Sequence, residues 1–255
     1  VLDAKGSVSQ IIEYDLDITE QRWVERQLET ESKRARLYLD VLSHDMANQL
    51  QVISGCIELI KEACIIPGMS EFAGRIVSQA AEALLKCRNL ISKARSTEQL
   101  AIVPLVERSL PRVLLDCIEQ LGERHESFVV EIVSMLEEAL VLADRFLEDL
   151  FSNLLDNAIE HNKGEFKHVW VGLRRVGDEY VVCFGDNGPG IDDTSKTDIF
   201  DPSQRLGGLG MHFSAEIVEK YGGDIEVRDR VLHKPDEGVK FLVRLPKLGG
   251  STKWK

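Results

Sequence analysis

The sequence predicts two architectures in one chain: an α-helical hairpin that pairs into a dimeric four-helix bundle, followed by an α+β two-layer sandwich. Three observations predict them. An apolar seam with heptad-like spacing runs through the first hundred residues. From about Val103 onward, short strand signals alternate with helical ones. The composition is globular, with 44% hydrophobic and 29% charged residues in 255.

Residues 1–19 read as the end of a preceding domain. VSQIIEYDLDIT suits a strand, follows the Lys5-Gly6 turn signal and is too short to build a core. The chain starts mid-pattern without Met, as expected of a piece of a longer protein.

Residues 20–98 form the helical unit. From Ile18 to Ala63 the only Gly or Pro is Gly55. Thr19 can cap the helix, and Glu20 suits the positive end of its dipole. Ala35, Leu39, Leu42, Met46, Leu50, Ile53, Ile57, Ile60 and Cys64 recur at steps of three and four, the signature of a packed helical seam. Pro67-Gly68 breaks it. A second helix is expected from Ser70 to Ala94, with Phe72, Ile76, Ala80, Leu84, Cys87 and Ile91 on one side. One hairpin cannot bury such a seam, so a homodimer is expected.

A linker is expected over 99–110 and the α+β domain over 111–248, with a frayed tail at 249–255. Its helices are expected at Val113–Leu121, Arg145–Glu160 and His212–Tyr221. Its strands are expected at Phe128–Ile132, Leu140–Ala143, His168–Arg175, Tyr180–Gly185, Asp224–Arg228 and Val239–Leu245.

Charge and composition exclude several classes. The formal net charge of −12 gives no basic footprint for a nucleic acid. No apolar run is long enough to cross a membrane, and the amino terminus lacks a signal-peptide layout. Five widely spaced cysteines without a CxxC point to buried thiols in a reducing, cytoplasmic setting.

Four stretches carry chemistry. In VLSHDMANQL, His44 lies off the apolar seam, with Asp45 beside it and Asn48 one turn on. An exposed imidazole beside a carboxylate can act as a nucleophile through one ring nitrogen. In LEDLFSNLLDNAIEHN, Asn153 and Asn157 share a helix face, where Asn is intrinsically unfavourable. Amide oxygens suit Mg²⁺, and amide nitrogens suit phosphate. In DNGPG, Asp186 ends a strand and can accept from a base amino group, while Gly188 and Gly190 admit close backbone approach. In RLGGLGMHF, glycines lead into a helix whose free N–H groups can hold an anion.

In this order and spacing, these motifs make the chain resemble the kinase core of two-component sensor histidine kinases. SHDMANQL matches the family's H box, Asn153–Ala158 its N box, DNGPG its G1 box, Asp198–Pro202 a reduced F box and Gly207–Met211 its G2 box. The first residues, ending IIEYDLDITEQR, resemble the end of a PAS sensor domain running into a signalling helix.

The resemblance implies a dimerisation and histidine phosphotransfer domain followed by an ATP-binding domain of the GHKL fold, with ATP and Mg²⁺ as cofactors. It implies phosphorylation of His44, assisted by Asp45, and transfer to a response regulator receiver domain. Asn48 would orient water for a phosphatase activity toward that regulator. Asn153 and Asn157 would hold phosphates, with Asn157 on the metal. Asp186 would read adenine, and His161 is a further candidate beside the nucleotide. Gly188, Gly190, Gly208, Leu209 and Gly210 would shape the pocket.

The chain departs from the family pattern at Glu160, where many members carry a basic or neutral residue, and in the short stretch between Gly190 and Gly207. Two other readings share the fold: a degenerate kinase acting as a dimeric scaffold, and a GHKL ATPase of another kind. Asn153 argues against hydrolysis, because an amide cannot activate water as Glu can.

Overall fold

The computed structural model describes residues 19–63, 70–100, 102–125, 127–201 and 208–249. The PAS-like strand, the Pro67-Gly68 turn, Cys64 and the tail after Gly249 lie outside these residues. The chain divides into two compact units, Val1–Leu37 and Tyr38–Lys255. The described part of the first is the start of helix α1 (Thr19–Ala63), which exposes Trp23 and Val24. Thr19 is already helical, one position inside the expected cap.

The second unit holds the rest of α1 and all that follows. Helix α2 spans Ser70–Leu100, six residues beyond the expected end at Ala94. Cys56, Ile76, Ala83 and Cys87 are buried. Leu39, Leu50, Ile57, Leu84 and Ile91 remain exposed in the single chain. Five residues of the expected seam therefore lack cover within one molecule.

Strand β1 (Val106–Ser109) pairs antiparallel with β3 (Leu140–Ala143), flanking α3 (Leu110–Arg124) and β2 (Phe128–Ser134). Residues 99–110 are therefore not a free linker. They contain the end of α2 and a paired strand, and Leu100 joins the hydrophobic core. β1 escaped the sequence reading because VERS has no alternation of its own; its pairing with LVLA creates it.

After α4 (Phe146–Glu160) come β4 (Lys167–Val176), β5 (Glu179–Asp186), α5 (Asp193–Asp198), α6 (Gly208–Lys220), β6 (Asp224–Val231) and β7 (Lys234–Pro246). Five strands form a mixed sheet in the order β2-β4-β5-β7-β6, with only the β2–β4 pair parallel. Val171, Phe184 and Phe241 lie side by side in register and are all buried. With Val169, Leu173, Val182, Val243 and Leu245 they form the sheet's inner face, against α4 and α6, while α3 packs on α4. Burying each such side chain contributes about 1.5–3 kcal/mol.

α4 is the central helix. Its Phe146, Leu147, Leu150, Phe151, Leu154, Leu155, Ala158 and Ile159 are all buried and make one broad apolar face. Its entry is fixed by Asp144, whose Oδ1 accepts from the Phe146 amide at 2.9 Å. The Tyr221 hydroxyl donates to the same carboxylate and Lys220 pairs with it, tying the end of α6 to the start of α4. Burial and the Asp144 carboxylate push the Tyr221 hydroxyl far above its ordinary pKa.

Candidate active site

A cavity of about 660 Å³, within the usual range for a small-molecule site, opens where α4, the β5 end and α6 meet. Asn157, His161, Asp186, Gly190 and Gly208 all line it. The helix, strand and glycine motifs, separated in sequence, thus converge on one space.

Asp186 ends β5 and is buried. Its Oδ1 accepts from the Gly188 amide at 2.7 Å and from the Val239 amide at 3.5 Å. Burial pushes its carboxyl above the usual carboxylate range, while these two amides and the charges of Arg230 and His161 oppose the shift. Gly190 has φ +77°, and a Cβ there would fall 1.4 Å from the Pro235 carbonyl oxygen. Only glycine lets this loop lie against the start of β7. At Gly188 a Cβ would come within 2.9 Å of Asp186 Oδ1, crowding the turn that holds the carboxylate.

On the helical side, Asn157 Nδ2 reaches Met211 Sδ at 3.7 Å, so its amide oxygen is the end left for a ligand. His161 is exposed and caps α4, its amide donating to Asn157 O at 3.2 Å. Gly208 and Gly210 belong to the first turn of α6, whose N–H groups have no partner within the helix. Leu209 is buried beneath them. Asn153 is also buried, but it does not line the cavity. Its Oδ1 accepts from Lys93 Nζ at 2.8 Å, and its Nδ2 donates to Ser214 Oγ at 3.0 Å.

The sequence reading missed Asn162, Lys163 and Asn187. Asn162 and Lys163 line the cavity. Asn162 Oδ1 accepts from the Gly164 amide at 2.9 Å, and its Nδ2 donates to Asn187 Oδ1 at 2.6 Å. Asn187 in turn accepts from the His168 amide at 2.7 Å and pins this loop to the end of the sheet. The two-residue Asn162–Gly164 spacing is an Asx-turn signal that was legible. Asp192 also lines the cavity and caps α5. Hydrogen bonds from Ser195 and Thr194 hold its carboxyl well below the usual range.

His44 is exposed on α1, with its side chain 52% accessible. Its Nδ1 lies 3.3 Å from Asp45 Oδ1 and 3.4 Å from Asn48 Nδ2. The two contacts call for opposite protonation states. Donation to Asp45 needs a proton on Nδ1, which leaves the Nε2 lone pair free; acceptance from Asn48 needs Nδ1 bare. Asp45 Oδ2 lies 3.5 Å from where a Cβ would stand at Gly208, a residue of the cavity wall. The histidine face of α1 is thus brought to the rim of the cavity.

Comparison with known proteins bears on the fold and the family. Residues 143–249 match the family of histidine kinase-, DNA gyrase B-, and HSP90-like ATPases. The alginate biosynthesis sensor protein KinB of Pseudomonas aeruginosa is 27% identical over 242 residues, covering 90% of this chain and 39% of KinB. The chain therefore spans well under half of that relative's length. The catalytic domain of histidine kinase ThkA superposes with a TM-score of 0.51 at 26% identity, covering 57% of this chain and 98% of that domain. ThkA in complex with response regulator protein TrrA gives a TM-score of 0.65 at 20% identity, over 97% of this chain and 73% of that one. At that identity the second likeness speaks to fold. No helix among the described residues is long and apolar enough to cross a membrane, and no cluster of three or more His, Cys, Asp or Glu among them could hold a metal. Residues 143–249 are similar to GHKL-type ATPase domains, in a chain that resembles the sensor histidine kinases of two-component signal transduction.

Proposed function

We propose that the chain is the kinase core of a sensor histidine kinase, which phosphorylates His44 with Mg-ATP and passes the phosphoryl group to an aspartate of a response regulator receiver domain. The observation that carries this reading is the approach of Asp45, next to His44, to Gly208 at the cavity rim. His44 and the cavity belong to the same compact unit.

The chemistry follows from the contacts. With the Nδ1 proton held toward Asp45, the His44 Nε2 lone pair attacks the γ-phosphorus of ATP. The bond from that phosphorus to the bridging oxygen breaks, ADP leaves, and the Nδ1 proton passes to Asp45. Asp186 accepts from the adenine amino group. Gly208 and Gly210 present the α6 N-terminus to phosphate oxygens. Bound with the nucleotide, Mg²⁺ supplies charge neutralisation on the phosphates. The amide oxygen of Asn157 suits it, since this ion takes few protein ligands beside phosphates and water. Lys163 adds a cation at the cavity of an otherwise acidic chain.

The exposed Leu39, Leu50, Ile57, Leu84 and Ile91 support pairing of the helices with a second copy in a four-helix bundle. Asn48, at hydrogen-bond distance from His44, supports a second activity, dephosphorylation of the regulator by an oriented water. The test is autophosphorylation with γ-labelled ATP and Mg²⁺, comparing wild type with His44→Gln. An acid-labile, alkali-stable label that disappears in the variant is expected. A label that survives in His44→Gln, or no label on a wild type that binds ATP, overturns the assignment.

A further inference from the structure

The cavity accounts for Asn157, Asp186 and the glycines, but Asn153 stands behind it, where three helices meet. Lys93 reaches it from α2 and donates to Oδ1 at 2.8 Å. Ser214, on α6, accepts from Nδ2 at 3.0 Å and donates onward to Gly210 O at 2.9 Å. Gly210 makes the approach possible, since a Cβ there would sit 2.5 Å from Asn153 Oδ1. A continuous polar path thus runs from α2, through α4, to the first turn of α6.

The path has a defined direction. Flipping the Asn153 amide would set its NH₂ against the Lys93 ammonium, two donors facing each other. Lys93 therefore fixes which way the amide points and so supplies Ser214 with its donor. Burial pushes the Lys93 ammonium below its ordinary pKa, and Asp156, Glu160 and Asp149, which recur along the same side of α4 as Asn153, oppose that shift. Lys86, one heptad earlier on α2, feels Glu160 as well. Leu100, in the core, anchors the end of the same helix.

We propose that Lys93 is a positioning residue for the nucleotide site: by holding the Asn153 amide, it sets Ser214 and the Gly210 end of α6 for phosphate only while α2 stays packed against α6 with Lys93 in reach of α4. Motion of the hairpin that withdraws Lys93 frees the amide and loosens the first turn of α6, so a displacement of α2 is read as a change in ATP affinity. The inference rests on the ATP-binding reading above.

The test is titration of the full chain with a fluorescent ATP analogue in Mg²⁺, on wild type, Lys93→Met and Lys93→Arg, with a thermal melt of each. Met keeps the length and removes the donor; Arg restores a donor. Loss of one charged hydrogen bond, expressed partly at the site, is expected to weaken binding about tenfold in Lys93→Met. Lys93→Arg is expected to recover most of that loss. A merely structural lysine would lower the melting temperature while the folded fraction kept its affinity, which overturns the proposal. Tighter binding by Lys93→Met also overturns it, by making Lys93 a latch that withholds the site. Should Lys93→Met fail to fold, Ser214→Ala probes the other end of the path, and unchanged affinity there is equally fatal. A wild type that binds no analogue sinks the ATP reading, and this inference with it, before any variant is compared.

Discussion

Gly190 and Gly177 offer a matched pair of perturbations. Both have positive φ, +77° and +63°. Alanine in the left-handed region costs about 1–2 kcal/mol, offset by about 0.4–1 kcal/mol from the stiffer unfolded chain. Gly177 lies in the β4–β5 turn with nothing within 4 Å of a new Cβ, so Gly177→Ala carries that backbone difference alone. Gly190→Ala carries it too, and adds a Cβ 1.4 Å from the Pro235 carbonyl oxygen and 2.6 Å from its carbon. The obstacle is backbone at the start of β7, so no side chain can rotate away. Overpacking of this kind costs about 1–3 kcal/mol more. At about 2–4 °C per kcal/mol, Gly190→Ala should melt about 2–12 °C below Gly177→Ala. Differential scanning calorimetry of the two variants measures the gap, and titration with an ATP analogue should show weakened binding in Gly190→Ala alone. Melting temperatures within about a degree of each other would refute the reasoning, because the G1 turn would then not be seated on β7.

Two further outcomes follow from the site. Burial holds the Asp186 carboxyl above its ordinary 3.8, so the folded chain binds that proton more tightly than the unfolded one. The contribution is fully present below the unfolded value and is lost as pH rises through the folded one. Asp186→Asn has no such loss, so its melting temperature should gain on wild type as pH goes from about 3 to about 7; a constant offset between the two melting curves would contradict the shift. Because Asp45 and Gly208 meet within one chain, phosphorylation should proceed in cis. A mixture of His44→Gln and Asn157→Ala chains, each inactive alone, should then stay unlabelled, whereas labelling of the Asn157→Ala chain would establish transfer between copies.

What the sequence made legible was local. The steps of three and four from Leu39 to Ile60 foretold a single long helix, and α1 runs unbroken to Ala63. The apolar run YVVCFG foretold β5, and Tyr180, Val181, Val182 and Phe184 are all buried. The segments without their own periodicity were missed. β1 exists because β3 pairs with it, and α5 is a polar turn of helix started by the Asp192 cap. The site divides the same way. Each motif named its residues, since glycine, asparagine and a strand-end aspartate are informative where they stand. Their reasons were partly elsewhere. Gly190 is required by a carbonyl 45 residues away, and Asn153, whose amide suggested phosphate, spends both its ends on Lys93 and Ser214, 60 and 61 residues distant. No window of sequence contains that meeting, because α2, α4 and α6 come together only through packing on the shared core. A family motif therefore points to the cavity, but the residue joining its wall to α2 is written in tertiary contacts. Lys93, which no motif includes, occupies that place.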